Sequence, residues 1–474
     1  MGHIKNGLKW SAIEKIVSQG VQFLTLLILA RLLTPNTFGV IAMTSIFISI
    51  AQLLIDGGFT SALIRKGKPS EVEYSTAFYF NIVVGLFIYI IIYFSAPLIS
   101  FFYHEPILQD VLRVLGGVIL VNSLTVVYRA KLNVALDFKS QSKVTVSSSL
   151  ASGVIGVALA YHGYGVWALV AQSLFNAIIS MCLYVYIFKW RPIKAFDVNE
   201  FKDMFGYGYK LILSSLIEVI YANSFIVIIG KIYSSSQVGL FYQAQRLIEL
   251  PTSSFIGIIQ RVNLPLMSKA HDATEINKIF SDSIILSTFI FTPLVSILVV
   301  LSDAFFYYVL GPAWLAASKY LIILCGCYVF YPIHVFNLNL LQVKKRSDMF
   351  LKAEVIKKII GVLSIICSFK FGVIGLCIGM MISSILSLFV NCFYSEKVGG
   401  LTTIQQFKLT YKIYLSNCLS LIIALFIASS FFHENIIISS LVGLLLFCLS
   451  WLLCCCTFMK DEFITTRNKY IKAI

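Results

Sequence analysis

Long apolar runs recur from one end of the chain to the other, divided by short polar punctuation. A hydrocarbon core about 30 Å thick takes roughly 20 mostly apolar residues per helical crossing. On that measure the runs predict about fourteen helices. They fall near residues 10–31, 37–57, 75–97, 107–130, 144–161, 165–188, 210–230, 240–260, 281–301, 318–342, 352–370, 372–394, 411–430 and 434–456. The fourth, eighth and eleventh are the least apolar. The predicted fold class is an all-α polytopic membrane protein.

Polar positions inside these runs have their own period. Residues 11–30, SAIEKIVSQGVQFLTLLILA, begin polar and end as hydrocarbon. Ser11, Glu14, Ser18, Gln22 and Thr25 step by three or four and share one helix face, with Lys15 and Gln19 beside it. An ionisable group near the bilayer centre costs roughly 2.5–3.5 kcal/mol on insertion scales, so such groups face a partner or a wet cavity. The stripe runs on past the charges, which favours a cavity over an interfacial lysine reaching back to water. Asp56 ends the second span, Arg113 lies in the fourth and Glu218 in the seventh. The eighth holds Arg246 and Glu249 one turn apart, either facing the same cavity or neutralising each other.

Two further patterns organise the spans. The turn ARLLTPNTFGV (30–40) matches GKIYSSSQVGL (230–240) at an offset of 200, pairing Arg31 with Lys231, Thr34 with Ser234 and Gly39 with Gly239. YGVWAL (164–169) matches FGVIGL (371–376) at a similar offset. The expectation is a parallel repeat of two six-helix lobes, residues 1–190 and 191–400, with an appendage at 401–474. Such lobes imply a cavity between them and rocking-type alternating access. Gly153 with Gly156, and Gly375 with Gly379, have the spacing that lets membrane helices pack closely.

Composition adds a net charge of +15, from 37 Lys and Arg against 22 Asp and Glu. The charge is concentrated in every second loop, for example Arg65, Lys66 and Lys68, and then Lys189, Arg191, Lys194 and Lys202. That alternation is the positive-inside pattern. It places both termini in the cytoplasm and makes nucleic acid an unsuitable partner. Most of the 11 cysteines fall inside spans, as apolar thiols do.

The candidate chemistry is binding and movement, with no enzyme expected. No G-x-x-x-x-G-K-[ST] loop, H-E-x-x-H or G-x-S-x-G string is present. No cofactor or metal is called for. Lys15, Gln22, Arg246 and Arg113 are the candidates for holding an anionic, phosphate-bearing substrate. Glu14, Asp56, Glu218 and Glu249 are the candidates for ion coupling or charge pairing.

Six strings in order carry a resemblance: ARLLTPNTFGVIAM, DGGFTSALIRK, VYRAKLNVALDFKSQS, GYGVWALVAQ, LGPAWLAASKYL and FNLNLLQVKKRSDMFLK. From about residue 7 to 400 the chain resembles the polysaccharide-transport family of bacterial flippases, of the Wzx type related to the colanic acid exporter. The resemblance implies movement of undecaprenyl-pyrophosphate-linked oligosaccharide across the cytoplasmic membrane, for O-antigen, capsule or exopolysaccharide. It also implies a cationic central cavity, with membrane lipids and a polysaccharide polymerase or chain-length machinery as partners. The alternative within the same superfamily is a cation-coupled drug antiporter.

Overall fold

A computed structural model describes residues 2–270, 272–431 and 435–459, apart from the side chains of residues 2–16, Lys210, Ile258, Val262 and Ala273. Among the described residues the regular structure is helical throughout. Contacts divide the chain into two compact units, Met1–Gly239 and Leu240–Ile474.

The first unit begins with α1 (Gly2–Leu32), α2 (Pro35–Asp56), the short α3 (Phe59–Lys66) and α4 (Glu71–Tyr103). It continues with α5 (Ile107–Ala135), α6 (Phe138–Tyr161), α7 (Val166–Phe188) and α8 (Val198–Ile232), and it includes the first turn of α9 (Ser235–Lys269). Helix α1 packs on α6, α6 on α7 and α4 on α5, while α2 lies against both α5 and α8.

The second unit holds the rest of α9, then α10 (Ala273–Ala304), α11 (Ala316–Tyr328), α12 (Tyr331–Val343) and α13 (Ser347–Ser368). It ends with α14 (Gly372–Lys397), α15 (Thr403–Phe431) and α16 (Ile436–Thr457). Helices α15 and α16 pack on each other and on α10, and Asn417 Nδ2 donates to Ser296 Oγ at 2.8 Å. Packing groups α8 with the first unit. The sequence repeat starts a new lobe at residue 191, so the two divisions rest on different criteria.

Every predicted span falls on a helix, and α11 with α12 together fill the tenth. Eleven stretches among the described residues are long and apolar enough to cross a membrane, and one of them runs through both α13 and α14. Helix α9 is not among these stretches, because Arg246, Glu249, Gln260 and Arg261 interrupt it. The chain passes Pro251, Pro265 and Pro293 without leaving the helix. The break comes at Phe330, just before Pro332 at the start of α12, where the missing N–H costs nothing.

Burial follows the logic of a bilayer. Phe94, Leu98 and Phe101 are more than 70% exposed, whereas Asn81, Asn337 and Asn391 are fully buried. Large apolar side chains face the hydrocarbon, and amides fill the interior, where polar groups glue membrane helices together.

Small residues set the helix spacing. A β-carbon on Gly153 would lie 2.8 Å from Thr25 Oγ1 of α1, and one on Gly156 would lie 2.9 Å from Gln172 Cβ of α7. On Gly379 it would lie 2.6 Å from Ser368 Oγ of α13. Gly153→Val therefore has to push α1 off α6. A fall of several degrees in detergent melting temperature is expected relative to Gly117→Ala, whose β-carbon meets nothing nearer than 3.8 Å.

Candidate functional site

The two repeated turns are built alike and meet. Helix α1 ends at Leu32 and α2 starts at Pro35; α8 ends at Ile232 and α9 starts at Ser235. A β-carbon on Gly39 would overlap the Ser235 carbonyl oxygen, and one on Gly239 would overlap the Pro35 carbonyl oxygen. The contact is reciprocal at the same offset of 200 that the sequence showed. Asn36 Nδ2 donates to Ser235 Oγ at 2.7 Å and completes this end of the seam between α2 and α8.

The seam continues inward from there. Ser45 Oγ of α2 donates to Asn223 Oδ1 of α8 at 2.9 Å. On the other side of α2, Asn122 Nδ2 of α5 donates to Gln52 Oε1 at 3.1 Å. At the far end Gly57 and Gly58 both have positive φ, at 55° and 71°. A β-carbon on Gly58 would lie 2.5 Å from Gly208 Cα of α8. Both ends of the seam therefore depend on residues without a side chain, and hydrogen-bonded amides and hydroxyls lie between them.

A polar cap covers the α3 end. Lys66 pairs with Glu73, with Glu200 at 2.6 Å and with Asp203 at 3.6 Å. Trp190 Nε1 and Lys131 Nζ both donate to the carboxylate of Glu71, at 2.6 and 2.8 Å. The connector before α8 is tied down by its own backbone. Ile193 N–H donates to Ser75 Oγ at 3.0 Å and Asp197 N–H to Thr76 Oγ1 at 3.1 Å. Phe59, Phe80, Phe201 and Phe205 pack ring on ring beneath the cap.

The sequence-derived candidates are dispersed over these elements. The side chains of Glu14 and Lys15 lie outside the described residues. In the rest of their stripe Ser18 and Thr25 are buried while Gln22 is exposed. Ser18 and Thr25 are seven residues apart and nearly eclipsed, so both turn the same way, and Thr25 meets α6. Gln22 is rotated away from that line.

Arg113 of α5 is half-buried. Its guanidinium lies 4.6 Å from the centre of the Tyr93 ring on α4, and its Nε is buried without a hydrogen bond. Asp56, the last residue of α2, accepts a bond from Thr60 Oγ1 at 2.5 Å. Glu218 is exposed on α8.

In the second unit Arg246 Nη1 reaches Tyr242 OH at 3.3 Å. Glu249 accepts from Gln245 Nε2 at 2.6 Å and from Tyr328 OH at 3.2 Å. The ion pairs among the described residues do not include Arg246 with Glu249. Helical side chains lean toward the preceding turn, so each finds a partner four residues back instead.

Sequence reasoning missed several groups. Lys66 was legible only as one cation in a basic loop. In the second unit Asn337 and Gln406 exchange two amide hydrogen bonds, at 2.8 and 3.0 Å, and both are buried. The Nδ1 of His334 lies 2.9 Å from Asn391 Nδ2. Period and spacing along one helix give no signal for such pairs, whose members are 57 and 69 residues apart.

Comparison with known proteins supplies the frame for this geometry. A family model described as "Polysaccharide biosynthesis protein" matches residues 28–319, more than half of the chain. The teichuronic acid biosynthesis protein TuaB of Bacillus subtilis is 26% identical over 349 residues, which cover 73% of this chain and 72% of TuaB. The lipopolysaccharide biosynthesis protein WzxC of Escherichia coli is 23% identical, covering 83% of this chain and 80% of WzxC. Among solved structures, the lipid II flippase MurJ in an inward closed conformation superposes with a TM-score of 0.77 at 18% identity, covering 95% of this chain and 99% of MurJ. That last likeness establishes a shared fold. With apolar helices along its length and a family match across most of its first two-thirds, the chain belongs to the polysaccharide biosynthesis protein family.

Proposed function

We propose that this chain moves oligosaccharide units linked to undecaprenyl pyrophosphate from the inner to the outer leaflet of the bacterial cytoplasmic membrane by alternating access. The observation that carries the reading is the family match over residues 28–319 on a MurJ-like fold. The chemistry agrees with it. A lipid-linked pyrophosphate is an anion on a long apolar tail, and a membrane chain that carries it needs cations backed by weaker polar groups. Arg113 rests on an aromatic face, and the one hydrogen bond of Arg246 among the described residues is to the Tyr242 phenol, so each keeps guanidinium donors for phosphate oxygens.

The gathering of Arg65, Lys66, Lys68, Lys131 and Lys202 at the α3 end of the seam supports a cytoplasmic position for it. The turns at residues 33–35 and 233–235 then face outward. Two repeated lobes, 1–190 and 191–400, with 401–474 appended, fit the reciprocal turns. The polymerase or chain-length machinery is the natural recipient of the moved unit.

Leaflet-resolved quantification of the lipid-linked unit tests the reading. Cells lacking the chain are expected to hold the unit on the cytoplasmic side, and Arg246→Ala and Lys15→Ala are expected to move it at least tenfold more slowly at equal expression. Normal outward movement without the chain, in cells with no second flippase, would overturn the proposal. Normal movement in both variants would remove those two cations from the path and leave the function standing.

A further inference from the structure

We infer that Lys66 is the latch that holds the cytoplasmic end of the α2–α8 seam shut, and that its release opens this end of the path. The inference rests on the placement of α3 in the cytoplasm proposed above.

The geometry narrows the choice to this residue. The backbones of Gly58 and Gly208 meet at the end of the seam, but a glycine contact holds nothing unless another group presses the helices together. Gly57 and Gly58 turn the chain out of α2 through left-handed conformations, and eight residues of α3 carry Lys66 back over the start of α8. There a single ammonium joins three elements: α3, which bears it, α4 through Glu73, and α8 through Glu200 and Asp203. Beside the Gly58–Gly208 contact, the other contacts of α8 at this end are the Arg65 guanidinium on Tyr207, Met204 in the apolar cluster and a group of aromatic rings. Phe201 and Phe205 lie tilted and edge-on against Phe80, and apolar contacts of this kind are non-directional and fix no single position.

The ionic part is therefore the portion that sets a discrete closed position. It is also open to the medium. The Lys66 side chain retains 27% exposure, Glu200 36% and Asp203 59%, so salt or an arriving anion reaches them, while Glu73 at 7% is anchored on α4. Glu73 is held independently, because its carboxylate also accepts the Ser70 N–H at 2.6 Å in a capping box. When the latch opens, Lys66 stays with α4 through Glu73, and the α8 carboxylates are the partners that leave. The outward end closes differently, through carbonyl, hydroxyl and amide contacts at Gly39, Gly239, Asn36 and Ser235. Among the described residues the ion pairs of the seam lie at the α3 end, whereas at the other end the one cation of α8, Lys231, meets a backbone carbonyl, that of Phe102 at 2.7 Å.

Arg65 reports the state of the inward end, since its guanidinium lies 4.3 Å from the centre of the Tyr207 ring on α8. The test uses the full chain in substrate-free everted membrane vesicles. Arg65→Cys with Tyr207→Cys forms one reporter pair, and Asn36→Cys with Ser235→Cys forms a second, outward pair. Each is treated with a short bismaleimide beside its single-cysteine controls, which account for the native thiols.

Lys66→Gln is expected to lower inward cross-linking at least threefold and leave the outward pair unchanged, with Lys66→Arg close to the parent. Molar sodium chloride is expected to act on the parent as Lys66→Gln does. Unchanged inward cross-linking in Lys66→Gln overturns the latch. Should Lys66→Gln lose both pairs through misfolding, Glu200→Gln with Asp203→Asn asks the same question with Lys66 intact, and parent-level inward cross-linking there overturns the latch equally. Because no substrate is present, failure here leaves the leaflet assay, and the function it tests, untouched.

Discussion

Gly39→Ala is expected to reduce delivery of the lipid-linked unit to the outer leaflet at least tenfold while the protein still inserts at the parent level. The added methyl group overlaps the carbonyl oxygen of Ser235, which belongs to a helix start and cannot rotate aside as a side chain would. The first turn of α9 must then move away from α2, taking the Asn36–Ser235 hydrogen bond with it. On the proposed orientation this opens the outward end, and a carrier that cannot close one end cannot complete a cycle of alternating access. Gly239→Ala is expected to act in the same way through Pro35. Gly20→Ala on α1 is the control, because a β-carbon there meets nothing within 4 Å. Leaflet-resolved quantification reads the result, and parent-level export in Gly39→Ala would show that this contact need not form.

The second large effect is on stability. Asn337→Leu is expected to cost about 2 kcal/mol, read as a lower midpoint in thermal or denaturant unfolding in detergent. The substitution leaves the buried amide of Gln406 without its reciprocal partner, and an orphaned buried polar group costs about 1–3 kcal/mol. The Gln406 Nε2 still reaches the Leu401 carbonyl at 3.0 Å, while its Oε1 keeps only the weak thiol donor of Cys392 at 3.5 Å. Asn337→Leu with Gln406→Leu is expected to recover more than half of the loss, because two apolar groups then replace two satisfied ones. A double variant as unstable as the sum of the singles would mean that the pair acts only by filling space.

Much of the architecture was legible because a bilayer leaves few choices. Apolar runs divided by Pro35, Pro106, Gly163–Gly165 and the basic loops could only be helices. Helix starts were less legible. Helix α8 begins at Val198 rather than near 210, and α4 at Glu71 rather than near 75. Their caps, Asp197 accepting from the Asn199 and Glu200 N–H groups and Ser70 accepting from Glu73, lie outside the apolar windows that located the spans. The short α3 escaped for the same reason, since eight residues ending in Arg65 and Lys66 look like loop to a bilayer-length window.

The candidate site was less legible still. Arg113 and Arg246 were visible as charges in apolar surroundings, but not the rings beside them. The side-chain lean that sends Arg246 toward Tyr242 and Glu249 toward Gln245 depends on rotamers, which spacing does not reveal. The partners of Lys66 lie 7, 134 and 137 positions away along the chain, and only folding brings them together.

The reciprocal turn at Pro35–Gly39 and Ser235–Gly239 has the form of an isologous interface, the same patch placed against itself across a two-fold axis, as in a symmetric dimer. In this chain the reciprocal contact binds the two turns together. Each glycine is fixed both by its own helix and by the carbonyl of the residue that opens the opposite helix, Ser235 for Gly39 and Pro35 for Gly239, so neither can acquire a side chain without driving the two turns apart.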